Sequence, residues 1–330
     1  MTDNVIRVLG KGKRPLIRPP DMADLRACNR DKNKQLVDKI MTEEEAIEAF
    51  VKNGDYIGVE LYGTVRCPMS LCRALVRSGK KGFDLAGQGV HESDILLAAD
   101  LVENIDLTYI GMEVYGVSPI LRRAVESGKV KQVIEWSNGA ITWRFKAAAM
   151  GVPFLPTTSM LGSDTFNYSA AVTVEDPFTG NPICLLPALV LDVGLIHVNR
   201  ADKYGNCQID GISGFAFEMA RASKRLIVSA EEIVEPEVIR AHPQRTVIPW
   251  FNVDAVVHAP FGSWPGEMAG AYERDEDHYR MFVKAAKTAE DTASYMRQWV
   301  YDLPDHKALL KKIGDDRLDA LRVQGQGGVK

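Results

Sequence analysis

Residues 133–166, VIEWSNGAITWRFKAAAMGVPFLPTTSMLGSDTF, set the tightest limit on how this chain can fold. Val133 and Ile134 are β-branched and run into Ser137, Asn138 and Gly139, residue types that punctuate a chain. Residues 141–150 carry three successive alanines, a surface small enough for a helix to lie very close to a sheet. Gly151 stands where a helix closes on a glycine, and Pro153 prevents continuation. A second apolar strand follows, then a Gly/Ser/Asp loop. The stretch predicts strand, sharp polar turn, helix and strand. In an open α/β sheet, ligands bind beyond the carboxyl ends of the strands. The turn at 137–139 is therefore where chemistry is expected.

The same alternation recurs along the chain. Thr42-Glu43-Glu44-Glu45 resembles a capping box, opening a helix that ends near Asn53-Gly54. Strands are expected over 56–62, 83–86, 105–110, 183–186, 190–198, 226–230 and 253–257. Helices are expected over 69–78 and 119–127, each closed by a glycine, and over 95–99. Residues 280–310 read as mostly helical. Strands alternating with helices predict an α/β fold with a doubly wound, mostly parallel sheet. Residues 155–187 read as a small loop-rich subdomain, and 280–320 as C-terminal helices, within one domain spanning 42–330. Residues 1–41 are polar, with Pro15, Pro19 and Pro20 among basic residues. They read as an extension lying over another surface, or clasping a partner subunit.

Composition excludes several classes. With 46% hydrophobic and 25% charged residues, the chain can bury a core without staples. A net charge of -4 argues against a nucleic-acid binder. No apolar run approaches the roughly 18 residues of a membrane span, and the N-terminus lacks a signal-peptide pattern. Cys28, Cys67, Cys72, Cys184 and Cys207 form no CxxC pair, so neither disulfides nor a zinc site is expected. The expectation is a reduced, cytoplasmic protein with no metal.

Gly87-Gln88-Gly89 is only a fragment of a dinucleotide-binding GxGxxG, and no Walker A element is present. Residues 211–215, GISGF, end in Phe where a nucleophile elbow needs Gly, which argues against an active Ser213. His278 beside Asp275, Glu276 and Asp277 reads as a solvated acidic turn rather than a metal site.

Five segments, taken in order, point to a family. They are NGDYIGVELYGTVRCP at 53–68, the opening stretch, VLDVGLIHVNRADKYGN at 190–206, SAEEIV at 229–234 and NVDAVVHAPFG at 252–262. Together they resemble the alpha subunit of family I coenzyme A transferases, glutaconate CoA-transferase above all, over about residues 42–320. The resemblance implies the CoA-transferase sheet, similar to that of sugar-phosphate isomerases. It also implies a homologous beta subunit, usually in an α2β2 heterotetramer. The implied reaction is ping-pong: a beta-subunit glutamate attacks an acyl-CoA thioester, and CoA then passes to an acceptor carboxylate. Coenzyme A thioester is thus a substrate, with no tightly bound cofactor.

The resemblance also assigns candidate residues. Asn138 falls where such alpha subunits carry a Gln that donates to the oxyanion; its alternative is a turn residue before Gly139. Ser137 and Gly139 flank it as substrate-binding positions. In related CoA-dependent steroid ring-cleaving hydrolases the same position is a catalytic Glu, which Asn138 cannot replace. Glu60 replaces the first glycine of the family's Gly-Gly-Phe turn. It is either a repurposed catalytic group or a strand-end carboxylate satisfied by Arg66. Arg66 matches a family Arg and could clamp a substrate carboxylate bidentately. Gln88, His91 and Glu92 lie at another expected strand end; alternatively Glu92 and Ser93 simply start a helix with favourable N-terminal charge. Trp264 stands where the family has His, suggesting a bulkier or more apolar acyl pocket. Two other functions stay open: an acyl-CoA or C–C bond hydrolase on the same fold, and a non-catalytic binding protein.

Overall fold

The computed structural model describes residues 6–60 and 62–323. Its centre is a nine-stranded sheet. Neighbouring strands run in the order Gln132–Glu135, Val102–Ile110, Phe83–Gly89, Tyr56–Val59, Leu191–Asp202, Ser223–Val234 and Ala255–His258, every adjacent pair parallel. Cys207–Gln208 and Thr246–Ile248 add a short antiparallel annex at the far end of Leu191–Asp202. The fold class expected from the sequence is therefore present.

Period-two side-chain alternation splits the strands' apolar residues between two cores. Ile57, Val59, Leu85, Ile105, Val193, Leu195, Ile227 and Val257 face one layer of helices, including Glu43–Phe50, Met69–Arg77, His91–Ala98, Pro119–Glu126 and Glu276–Ala285. Tyr56, Ala86, Ile134, Ile196, Val198, Val228 and Val256 face the other, where Asn138–Met150 and Ala216–Ala222 pack. Ala140, Ala147 and Ala148 are fully or nearly fully buried there, as the run of small residues implied. Gly151 closes that helix at φ 75°, in the left-handed region that glycine enters without strain.

One segment carries more order than expected, and another is placed on the chain's own surface. Residues 155–187 carry ordered strands rather than mainly loop. Phe154–Thr157, Val172–Glu175 and Pro182–Pro187 join Val8–Lys11 in a four-stranded antiparallel sheet. The strand expected at 183–186 is present within Pro182–Pro187, whereas Val8–Lys11 and Val172–Glu175, at four residues each, are too short to display an apolar alternation. The first 41 residues, as far as they are described, are seated on the chain itself. Met22–Asp31 is a helix whose Leu25 is buried in the second core. Arg18 reaches the amino ends of three strands, bonding Asp192 at 2.6 Å, Asp84 at 2.8 Å and the Gly54 carbonyl at 2.5 Å. Among the described residues, no helix is long and apolar enough to cross a membrane.

Candidate active site

Strand order reverses direction between Tyr56–Val59 and Leu191–Asp202, and the carboxyl ends of an open sheet at such a point form its natural crevice. Glu60 follows Val59 there, and it is fully buried. Arg66 grips its carboxylate at 2.7 and 3.0 Å, and the Phe215 N–H donates to it at 3.2 Å. Arg66 is also fully buried; its remaining contacts go to the carbonyls of His197 at 3.2 Å and Ile212 at 3.0 Å. It holds φ 60°, an unusual value for a non-glycine residue. The crevice is thus plugged by a closed ion pair. Of the two sequence-based alternatives for Glu60, the pairing with Arg66 is what the geometry contains. The expectation of Arg66 as a substrate-carboxylate clamp is corrected: the guanidinium is buried and its bidentate face is taken by Glu60. The GISGF segment supplies two of the groups that close the pair, a role its sequence did not announce.

His91 and Glu92 are likewise buried, which corrects their expected place at a substrate. The His91 ring stacks on Phe282 with centroids 4.0 Å apart, and its Nε2 lies 3.1 Å from the Tyr295 hydroxyl. Burial holds its pKa well below the ordinary histidine value. Glu92 accepts from the Val90 N–H at 3.1 Å, Ser93 Oγ at 2.6 Å and Cys67 Sγ at 3.3 Å, with desolvation raising its pKa. Both belong to the start of His91–Ala98 and its packing. Gln88 is half-buried near the end of its strand.

The turn at 137–139 differs from these positions in being accessible. Asn138 and Gly139 are exposed. Ser137 caps Asn138–Met150, its Oγ accepting from the Ala140 N–H at 3.1 Å and lying 3.2 Å from Ser159 Oγ. The Asn138 side-chain oxygen accepts a hydrogen bond from the Thr108 hydroxyl on the neighbouring strand. No acceptor among the described residues takes the Nδ2 hydrogens. An amide NH₂ thus stands free at a helix N-terminus, where the backbone dipole favours negative charge.

A buried network fixes this helix end. Asp106 accepts from Arg144 at 2.7 Å and from the Trp136 indole through one oxygen, and from the Tyr56 hydroxyl through the other. Arg144 also stacks on Trp136, 4.0 Å from the ring centroid, and bonds the Pro187 carbonyl at 3.0 Å. Sequence reading missed Thr108, Asp106 and Arg144. The available signals were a carboxylate inside an apolar strand and an Arg within an alanine-rich helix.

Other candidates fall into structural roles. His197 lies 2.8 Å from Ser229 Oγ and 2.7 Å from Glu231, a Ser-His-Glu line, yet Ser229 and His197 are fully buried. Glu231 also accepts from Tyr272 at 2.6 Å and the Phe261 N–H at 2.7 Å. Burial tends to raise its pKa, but the His197 and Tyr272 bonds outweigh it and leave the pKa lowered. Trp264 is 1% exposed and donates to Asp275 at 3.1 Å, so it does not line the rim and gives no support to a wider acyl pocket. Asp275, expected in a solvated turn, is buried and caps Glu276–Ala285. Among the described residues, no group of three or more His, Cys, Asp or Glu side chains could hold a metal ion.

The family model for coenzyme A transferase matches residues 40–259. The chain belongs to the coenzyme A transferase family. It is 33% identical over 304 residues to the A-type subunit of glutaconate CoA-transferase from Acidaminococcus fermentans, covering 86% of this chain and 95% of that one. The crystal structure of glutaconate coenzyme A-transferase from that organism superimposes with a TM-score of 0.83 at 31% identity, covering 86% of this chain and 96% of its own. A cholesterol ring-cleaving hydrolase IpdA subunit of Rhodococcus jostii is 28% identical over 292 residues, covering 85% of this chain and 98% of that one. The chain is thus a CoA-transferase subunit of the alpha type, as the five ordered motifs implied.

Proposed function

We propose that this chain works in the cytoplasm as the alpha half of a heteromeric CoA transferase, paired with a homologous beta subunit in an α2β2 assembly. The observation that carries the reading is the exposed Asn138 amide at the carboxyl rim, taken with a Glu60 that Arg66 locks three strands away on the same rim. This chain offers an oxyanion donor and withholds its own strand-end carboxylate, so the nucleophilic glutamate comes from the partner. That carboxylate attacks the acyl-CoA carbonyl carbon, the C–S bond breaks, and a mixed anhydride forms as CoA thiolate leaves. The thiolate then attacks the glutamyl carbonyl, releasing the first acid and leaving an enzyme–CoA thioester. The acceptor carboxylate reverses the sequence. Each addition places negative charge on a carbonyl oxygen, which Asn138 Nδ2 and the helix N-terminus stabilise more strongly than they do the neutral thioester. Ser137 and Gly139 would line the same turn without a bulky side chain in the way.

The test is to incubate the complex with acetyl-CoA, then add hydroxylamine before supplying glutaconate as acceptor. Hydroxylamine should destroy an enzyme glutamyl thioester and abolish transfer to glutaconate. Steady release of free CoA without an acceptor, unaffected by hydroxylamine, would instead identify a hydrolase and overturn the transferase reading. Asn138→Ala should lower kcat by roughly 10²–10³, the usual loss for one oxyanion donor, with assembly intact by gel filtration. Unchanged turnover would remove Asn138 from the site.

A further inference from the structure

Asn138 is exposed and could turn freely, yet an oxyanion donor must be aimed before the charge forms. The neighbouring strand supplies the aim. Val102–Ile110 and Gln132–Glu135 pair in parallel up to Leu107 opposite Glu135, and the Trp136 N–H extends the ladder to the Leu107 carbonyl at 2.8 Å. Thr108 is the next residue on its strand, level with the start of the Asn138 helix. Alternation puts its side chain on the same strand face as that of Asp106. Asp106 holds Arg144 and Trp136 beneath the turn, while the Thr108 hydroxyl donates to Asn138 Oδ1 at the rim. A β-branched threonine has few χ1 choices, so its hydroxyl is a stiff anchor.

We propose that Thr108 is a positioning residue that holds the Asn138 amide by its oxygen and so presents the NH₂ to the reacting carbonyl. The inference rests on the transferase reading above and adds to it the group that sets the donor's orientation. With the oxygen tied to Thr108, both Nδ2 hydrogens point away from the strand. They join the first-turn N–H groups of Asn138 and Gly139, which have no partner within a helix. In the reversed orientation the amide oxygen would face the developing oxyanion and repel it.

The experiment compares Thr108→Val, Thr108→Ser, Asn138→Ala and the double variant Thr108→Val/Asn138→Ala in the assembled complex, with acetyl-CoA and glutaconate as probes. Thr108→Val keeps the shape and removes the donor. It should lower kcat by about 10-fold, a fraction of the ~10²–10³ expected for losing the oxyanion donor itself, with KM and Tm unchanged. Thr108→Ser should restore most of the rate. The double variant should be no slower than Asn138→Ala alone, because the two residues act through one group. Full activity in Thr108→Val, or multiplicative losses in the double variant, would overturn the positioning role while leaving Asn138 in place. Should Thr108→Val lower Tm, Thr108→Ser provides the reading: a rate as poor as that of Val would sink the proposal. Full transfer activity in Asn138→Ala would remove the oxyanion donor and with it this proposal, whereas the transferase reading itself fails only if CoA is released without an acceptor and hydroxylamine has no effect.

Discussion

Glu60 and Arg66 are six residues apart, and their side chains have no exposed surface. A buried pair of this kind gains from mutual attraction but loses hydration, so its net stabilisation is small. Breaking it by removing one partner is costly, about 3–5 kcal/mol, because a lone charge stays in the interior. Arg66→Met should therefore lower unfolding stability by that order in urea titration, whereas Glu60→Leu/Arg66→Met should recover much of it. An Arg66→Met complex with unchanged stability and a sharply raised KM for glutaconate would instead mean that Arg66 binds substrate. The sequence showed both residues and named their pairing as one alternative. It did not show that Phe215, Ile212 and His197 complete the cage, because those contacts come from over 130 residues away. Asn138 is the opposite case: the Ser137 cap that seats it is local, so residues 137–139 marked the place, while its role as an oxyanion donor came from the family resemblance and stays a proposal.

At the scale of elements, the Asn138–Met150 helix is held by small side chains and by the Asp106–Arg144–Trp136–Tyr56 network. Ala140, Ala147 and Ala148 allow close approach to the sheet; the network then fixes its rotation and height. Asp106→Ala would leave the Arg144 guanidinium buried without its carboxylate. It should cost about 3–5 kcal/mol in urea unfolding, and turnover should fall as the helix N-terminus loses its seat. Wild-type stability in that variant would show that the helix is positioned by apolar packing alone. The sequence supplied this helix and its glycine stop, since capping and Pro chemistry are local. It showed strands after Pro153 and at 183–186 but concealed Val8–Lys11, Val172–Glu175 and the four-stranded sheet they complete, because strands of four residues gain their order from partners distant in sequence.

The whole molecule carries histidines whose charge the fold suppresses. Burial lowers the pKa of His278 to about 3 and that of His306 to about 4, and pushes His91 well below its ordinary value. A histidine whose folded pKa is depressed binds protons more readily in the unfolded chain. Its contribution is complete above the unfolded value, near pH 6.5, and is lost as pH falls towards the folded value. Each such group should remove roughly 1.4 kcal/mol of stability per pH unit within that window. The urea midpoint should therefore hold steady above about pH 7 and fall steeply between pH 6 and 4.5. His278→Phe should flatten the slope; an identical slope would place the acid sensitivity elsewhere. Reading from sequence could list these histidines but not their state. His278 was expected beside a solvated turn, whereas Trp264, Tyr295 and Trp299 enclose it.

By itself the sequence determined the alternation of strands and helices, the doubly wound sheet, the glycine stop of the helix that Asn138 opens and the membership of the coenzyme A transferase family. These follow from periodicity, capping and motif order, which act over a few residues or survive as ordered text. Only the tertiary structure decided which polar residues are free to act. Burial and pairing depend on contacts between distant segments, so Arg66, His91, Glu92 and Trp264 were drawn inside. Thr108 and Asp106, inconspicuous in their own strand, came to stand beside the exposed Asn138 amide and under the helix that carries it.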